Sequence, residues 1–382
     1  MKFQDIPGLS NVKRILTDAV KTNHAAHAQL FVGAEGALNL PVALAYATFL
    51  HCENKGEDSC GTCPACTKST KYIHPDTHFV FPMSNVKNEK DEERLKADIT
   101  KAWRSFLVEQ PYGNLDDWCN HYGGEDKLSI ISREASRDII KTLALKPFES
   151  KNKVMIIWQP ETMHPAAANG ILKILEEPSP NTYFLLVTNA ADQLMPTIIS
   201  RTQIVTVPLL SDTEMEGYLL EKLSLEETAA RKIVQLADGN VNLAHKLIGQ
   251  EQSDSTAFFM EWMRACFSHK YATLVSMADE YHALDKLAQR NMITYGMNMI
   301  RETLLFHSGA ETINRTRGEE RAFVEKFSQV FDIPKIERSF QLLNDAGYHL
   351  ERNGSAKMIF LDLSLKIAQT MRMKNEKIRN VE

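Results

Sequence analysis

The stretch KVMIIWQPETMHPAAANGILKILEEPSPNTYFLLVTNAADQLMPTIISRT, residues 153–202, decides how this chain is read. Two short apolar runs, residues 154–157 and 183–187, are rich in the β-branched and aromatic residues that suit buried strands. Between them Pro165 fits the first turn of a helix, and Ala168, Ile171, Leu172 and Leu175 recur at helical spacing until Pro178 forbids continuation. Strand, helix and strand joined by short links read as a right-handed parallel crossover. Pro196 then opens a further helical turn ending in Ile199, Ser200 and Arg201, and an extended run at 203–207 follows. Arg201 therefore falls at the end of an element, where its side chain can point outward.

Length and composition set the frame around that core. With 382 residues, 43% of them hydrophobic, the chain can bury more than one core, and two or three domains are expected. The net charge of -5 argues against a protein that coats nucleic acid unaided and favours protein partners. The first residues lack the apolar core of a signal peptide, and no run approaches the roughly 18 apolar residues of a membrane span. A cytoplasmic protein is expected. Four of the six cysteines cluster, which without a secretion signal favours metal binding over a disulfide framework.

The run Leu172-Lys173-Ile174-Leu175-Glu176-Glu177-Pro178, followed in order by Ser200-Arg201, resembles clamp-loader subunits of the AAA+ superfamily. Thr202 departs from the cysteine that often follows that arginine in the family. The opening Phe3-Gln4-Asp5-Ile6-Pro7-Gly8, with Val12, Ile15, Leu16, Ala19 and Val20 at helical spacing behind it, resembles the family's entry segment. A strand candidate at 27–32 leads into Gly33, Gly36 and an Ala-rich helix, the place of a phosphate-binding loop.

That loop lacks its chemistry. A working version reads G-x-x-x-x-G-K-[ST], because backbone amides cradle phosphates, the lysine reaches the terminal phosphates and the hydroxyl holds magnesium. Counted from Gly33, those positions are Leu38, Asn39 and Leu40. After the strand at 154–157 an active relative would carry Asp-Glu, where this chain has Trp158-Gln159. Asn242 stands where active relatives often place a phosphate-sensing arginine. Together these losses predict no ATP hydrolysis and no tight ATP binding, since a buried phosphate needs compensating positive charge.

Cys52, Cys60, Cys63 and Cys66 form C-x7-C-x2-C-x2-C. Four thiolates in one loop match tetrahedral structural zinc; a reactive C-x2-C pair would not require the other two cysteines, and an iron–sulfur cluster stays open as an alternative. The resemblance favours zinc, because bacterial clamp-loader subunits carry such an insertion after this helix. His74 and His78 read as ordinary surface or strand histidines. Residues 84–127 depart from the compact family pattern as an insertion, in which Leu95, Ile99, Ala102, Trp103, Phe106 and Leu107 make an apolar helical face expected to pack on the parent domain. Cys119 within it reads as a buried or half-buried thiol. Another helix starts at Ser132-Arg133-Glu134, with Ile139, Ile140 and Leu143 expected to face inward.

The fold these readings imply is α/β: an AAA+ P-loop-type parallel-sheet domain at 1–208 with a zinc knuckle at 52–66 and the insertion at 84–127, a small helical lid at 209–250 and an all-α collar for oligomerisation at 251–382. The resemblance implies a non-hydrolysing subunit of the bacterial DNA polymerase III clamp loader, in a pentameric hetero-oligomeric ring with the gamma/tau and delta subunits, which helps place the sliding clamp on primed DNA. It further implies that Arg201, with Ser200 beside it, acts as an arginine finger in a neighbour's ATP site. The rival readings are an active AAA+ ATPase subunit or remodelling protein, and a zinc-knuckle nucleic-acid binding module; the acidic balance counts against the last.

Overall fold

The computed structural model describes residues 1–84, 92–124, 129–144, 146–248, 255–310, 314–316, 318–352 and 354–373. They form two compact units, Met1–Ile248 and Gly249–Glu382.

In the first unit, α1 (Ser10–Lys21) precedes β1 (Ala28–Val32), α2 (Asn39–His51) and α3 (Pro64–Ser69), then β2 (Thr77–Val80) and β3 (Met83–Ser84). Helices α4 (Glu92–Glu109) and α5 (Leu115–Tyr122) follow, then β4 (Ser129–Ile130), α6 (Arg133–Ala144) and β5 (Lys153–Trp158). Next come α7 (Pro165–Glu176), β6 (Thr182–Thr188), the short α8 (Pro196–Ile199) and β7 (Gln203–Thr206). Helices α9 (Asp212–Glu221), α10 (Glu227–Ala237) and α11 (Val241–Leu247) complete the unit.

Five strands pair in the order β2-β5-β6-β1-β7, every pair parallel, with Leu30 of β1 opposite Leu186 on one side and Ile204 on the other. The short β3 and β4 form a separate antiparallel pair. β5 and most of β6 are buried, which is why their sequences are near-continuous apolar runs rather than alternating ones. Alternate residues serve opposite layers. Phe31, Val154, Ile156, Trp158, Leu185 and Val187 face a core shared with α2, α4, α5 and α9–α11, whereas Leu30, Met155, Ile157, Phe184 and Leu186 face α6, α7 and α8. α2 is buried along its whole length, as its largely apolar composition favours, and its polar Asn39, Thr48 and His51 are buried with hydrogen bonds.

α7 begins with Pro165 at its first position and a cap from the His164 ring to the Ala166 N–H. In α6, Ile139 and Leu143 are buried but Ile140 is 41% exposed, against the expectation. Four residues return to nearly the same stripe of a helix, whereas one residue turns 100° away from it. α10 stops at Asp238 and Gly239; Gly239 has φ +82°, and a Cβ there would lie 2.5 Å from the Leu210 carbonyl oxygen, so both backbone shape and close approach demand glycine.

The second unit is helical among its described residues: α12 (Ser255–Phe267), α13 (Tyr271–Ala283), α14 (Lys286–His307), α15 (Gly318–Ser328), α16 (Ile333–Glu351) and α17 (Ala356–Arg372). Phe360 stacks between Trp262 and Tyr281 with centroids 4.7 Å from each, and the Trp262 indole N–H donates to the Ser364 hydroxyl at 2.8 Å. No described helix is long and apolar enough to cross a membrane.

Candidate functional site

The carboxyl ends of β1, β5 and β6 come together where an open parallel sheet places its ligands. The Gly33 turn leaves β1 there, and α2 starts at Asn39. The position that would carry a phosphate-reaching lysine is turned back into the sheet: Asn39 is buried, and its Nδ2 donates to the Thr188 carbonyl at 2.8 Å, the same carbonyl that receives the Gly33 N–H at 3.3 Å. Asn39 Oδ1 accepts the N–H of Leu40 at 3.1 Å. Gly36 has φ +83°, and a Cβ on it would meet the side chain of Asn240, the cap of α11, at 2.0 Å. The turn is therefore closed from outside by its own chain.

Gln159 does not stand at this end alone. Its Nε2 donates to Asn189 Oδ1 at 2.9 Å, and Asn189 Nδ2 donates to the carbonyls of Gly33 at 3.1 Å and Ala34 at 2.9 Å. Asn189 was missed in the sequence; its signal was a polar amide directly after an apolar strand, at a strand end beside the glycine turn. Glu161 brings a carboxyl to the same place. Burial raises its pKa, and its Oε2 is buried without a hydrogen-bond partner. An amide net and an acid occupy the strand ends where a phosphate would require cations.

Helices α4 and α5 fill the adjoining space. From α4, Trp103 and Phe106 approach Trp158 with ring centroids 5.1 and 6.2 Å away, and Trp118 of α5 stands edge-on to Trp103 at 5.0 Å. Ile99, Ala102 and Leu107 join the same core, while the side chain of Leu95 lies outside the described residues. Polar ties run to both flanks: Asn114 Nδ2 donates to Glu35 of the glycine turn at 3.0 Å, and Asn242 Nδ2 of α11 donates to the Tyr112 carbonyl at 2.8 Å and to Asp117 Oδ2 at 2.5 Å. Asp117 also receives Lys246 at 2.6 Å. Burial by itself would raise the Asp117 pKa, but the Lys246 ammonium, the Asn114 N–H and the Asn242 amide together hold it below the ordinary carboxylate value. Asn242 is thus bonded to the segment that joins α4 to α5 and to α5 itself.

Cys52 ends α2, Cys60 lies in the following loop, and Cys63 and Cys66 sit at the cap and in the first turn of α3. All four Sγ atoms lie within 4.8 Å of one another, and Cys60 and Cys66 are 3.9 Å apart. Tetrahedral bonds of about 2.3 Å place sulfurs roughly 3.8 Å apart, so this donor set can hold one metal ion. Backbone N–H groups of Cys60, Cys63 and Cys66 point at sulfurs of Cys52, Cys60 and Cys63 at 3.3–3.4 Å. Burial pushes the Cys52 and Cys66 thiols up, whereas the N–H groups of Cys63 and Thr62 pull Cys60 down to about 6. Thiolates opposed in this way share one small space favourably when a cation lies among them.

No histidine joins that cluster among the described residues. His74 is buried rather than on the surface, stacked on His51 at 4.0 Å because the Ser150 and Thr77 hydroxyls hold the His51 ring from both sides. His78 lies on β2 and is half-buried. Cys119 is half-buried, with Sγ 3.2 Å from the Ser129 hydroxyl.

Arg201 follows α8 and is not free. Its Nε donates to Glu176 Oε1 at 2.6 Å and Nη2 bonds the same oxygen; Nη1 donates to the Thr197 carbonyl at 2.9 Å and to Ser200 Oγ at 3.2 Å. Ser200 in turn donates to the Thr197 carbonyl at 3.2 Å. The two segments singled out in the sequence, 172–178 and 200–201, meet at this pair.

Fold and site together define a five-stranded parallel α/β scaffold in which the glycine turn at the strand ends is bonded by the chain's own side chains. Residues 8–211 match the family described as DNA polymerase III, delta subunit, and the chain belongs to that family. It is 27% identical over 211 residues to DNA polymerase III subunit delta' of Bacillus subtilis, a match spanning 55% of this chain and 51% of that protein. Its identity to subunit delta' of Haemophilus influenzae is 28% over 182 residues, 48% of this chain and 42% of that one. It is also 26% identical over 260 residues to DNA polymerase III subunit tau of Bacillus subtilis, covering 66% of this chain and 38% of the tau subunit. The chain spans about half the length of the delta' relatives it matches.

Proposed function

We propose that this chain is the delta-prime type of clamp-loader subunit: a member of the DNA polymerase III loader that does not hydrolyse ATP and that helps place the sliding clamp on primed DNA. The observation that carries the reading is the Asn39 amide bonded to Thr188, with Trp103 and Phe106 packed on Trp158, and Trp118 behind them, where an ATPase would keep its carboxylates. Similarity to tau leaves an ATP-hydrolysing subunit as the rival. That rival needs a lysine at position 39 and a cleft free of the insertion.

In this reading Cys52, Cys60, Cys63 and Cys66 hold one zinc ion as a structural clip, with no coordination position left for chemistry. Helices α9–α11 take the part of the lid, and residues 251–382 that of the collar by which gamma/tau, delta and this chain form a pentameric ring in the cytoplasm. Arg201, steadied by Ser200, serves the ATP site of an adjoining subunit. A guanidinium there neutralises charge on the transferring phosphoryl group and offers a planar pair of donors that lysine lacks.

The test is a loader reconstituted with its ATP-hydrolysing subunits and Arg201→Ala. A trans-acting arginine can contribute about 10³ to 10⁵ in rate at its own site, and the whole complex, with arginines at its other interfaces, loses less. Assembly should persist while ATP turnover and clamp loading fall. Wild-type loading by the variant complex would make Arg201 an ordinary surface residue.

A further inference from the structure

The sequence gives Glu176 an unexpected place. It is the last residue of α7, where the helix dipole favours a cation, and Glu177 follows it. Helix stability does not account for the acid; its contact with Arg201 does. A guanidinium has five N–H donors, and four hydrogen bonds are made here: Nε and Nη2 to Glu176, and two from Nη1 to Thr197 and Ser200. The Nε–Nη2 edge, suited to a bidentate grip on a phosphate, is covered by one carboxylate oxygen. Nη1 is meanwhile anchored to the Thr197 carbonyl within α8 and to the Ser200 hydroxyl that follows it.

We propose that Glu176 is a parking carboxylate for Arg201. It covers the Nε–Nη2 edge while the adjoining site is empty and yields that edge to the terminal phosphate of a nucleoside triphosphate held by a neighbouring subunit. This rests on the reading of Arg201 as a trans-acting arginine. The exchange is easy because the pair is open to water, with 31% of the Arg201 side chain and 48% of the Glu176 side chain exposed. The two Nη1 bonds persist through it, so the guanidinium changes partner without leaving its place. Carboxylate and phosphate compete for one edge; removing the carboxylate therefore tightens the hold on nucleotide without adding a new contact.

The experiment uses the reconstituted loader carrying wild-type, Glu176→Gln, Glu176→Ala, Arg201→Ala or the double Glu176→Gln/Arg201→Ala chain, and measures kcat and KM for ATP. An exposed ion pair limits the gain, so KM should fall about 2- to 5-fold in Glu176→Gln and in Glu176→Ala, with kcat kept. The shift should vanish in the double variant. An unchanged KM would overturn the proposal, and so would a lower kcat with KM unchanged, which would mean that Glu176 orients the arginine rather than parks it. Arg201→Ala turning over ATP like wild type would instead remove the underlying reading, an outcome that this arm reports separately.

Discussion

The side-chain amide of Asn39 donates to the backbone carbonyl of Thr188 at 2.8 Å, tying the first residue of α2 to the last residue of β6. An amide fits because one end donates to that carbonyl while the other accepts from Leu40. The bond turns the side chain at position 39 back into the sheet.

Asn39→Asp should accordingly be costly, since it sets an oxygen against the Thr188 carbonyl and leaves a buried acceptor without a donor. A loss of about 1–3 kcal/mol is expected in urea unfolding. Asn39→Lys should not confer ATP binding, because Leu38, Leu40 and Trp158 remain and α4 and α5 still pack on Trp158. Calorimetric titration giving magnesium-dependent micromolar affinity for that variant, or an unchanged urea midpoint for Asn39→Asp, would contradict this account.

Asp117 links the insertion to α11 through Asn242 and Lys246. Asp117→Asn should speed hydrogen exchange in α11 by about tenfold and leave α7 unchanged, because only the polar tie is weakened. The pH dependence follows from the depressed pKa. The unfolded chain takes up the Asp117 proton before the folded one does, so the carboxylate's contribution is complete above about pH 5 and is lost as pH falls below the ordinary 3.8. The stability gap between wild type and Asp117→Asn should therefore be about 1–3 kcal/mol at pH 7 and shrink toward pH 3. A gap that widens in acid would show the sign to be wrong.

The four cysteines should carry one zinc ion per chain, found by elemental analysis of protein purified without chelator. Their loop also holds the chain start, since Asp58 accepts the N–H groups of Phe3 at 3.2 Å and Gln4 at 2.8 Å. Cys63→Ser or chelation should therefore loosen residues 3–5 and 52–66 in hydrogen exchange while β5 and β6 stay protected. Metal-free protein with equal protection in that loop would argue against a structural ion.

Much of this was legible in the chain itself. The strands at 153–158 and 182–188 and the helix between them follow from apolar runs and helical spacing, and the missing lysine and the cysteine spacing are read one residue at a time. These are local signals, fixed by backbone sterics and by which side chains water excludes. Only the tertiary structure decided what fills the cleft. Asn39 and Thr188 are 149 residues apart in the chain, Asp117 and Asn242 are 125 apart, and Glu176 and Arg201 are 25 apart. Spacing at such separations carries no period, so the partner of a buried amide or an acid at a helix end is settled only when the sheet has folded and its two layers close on it.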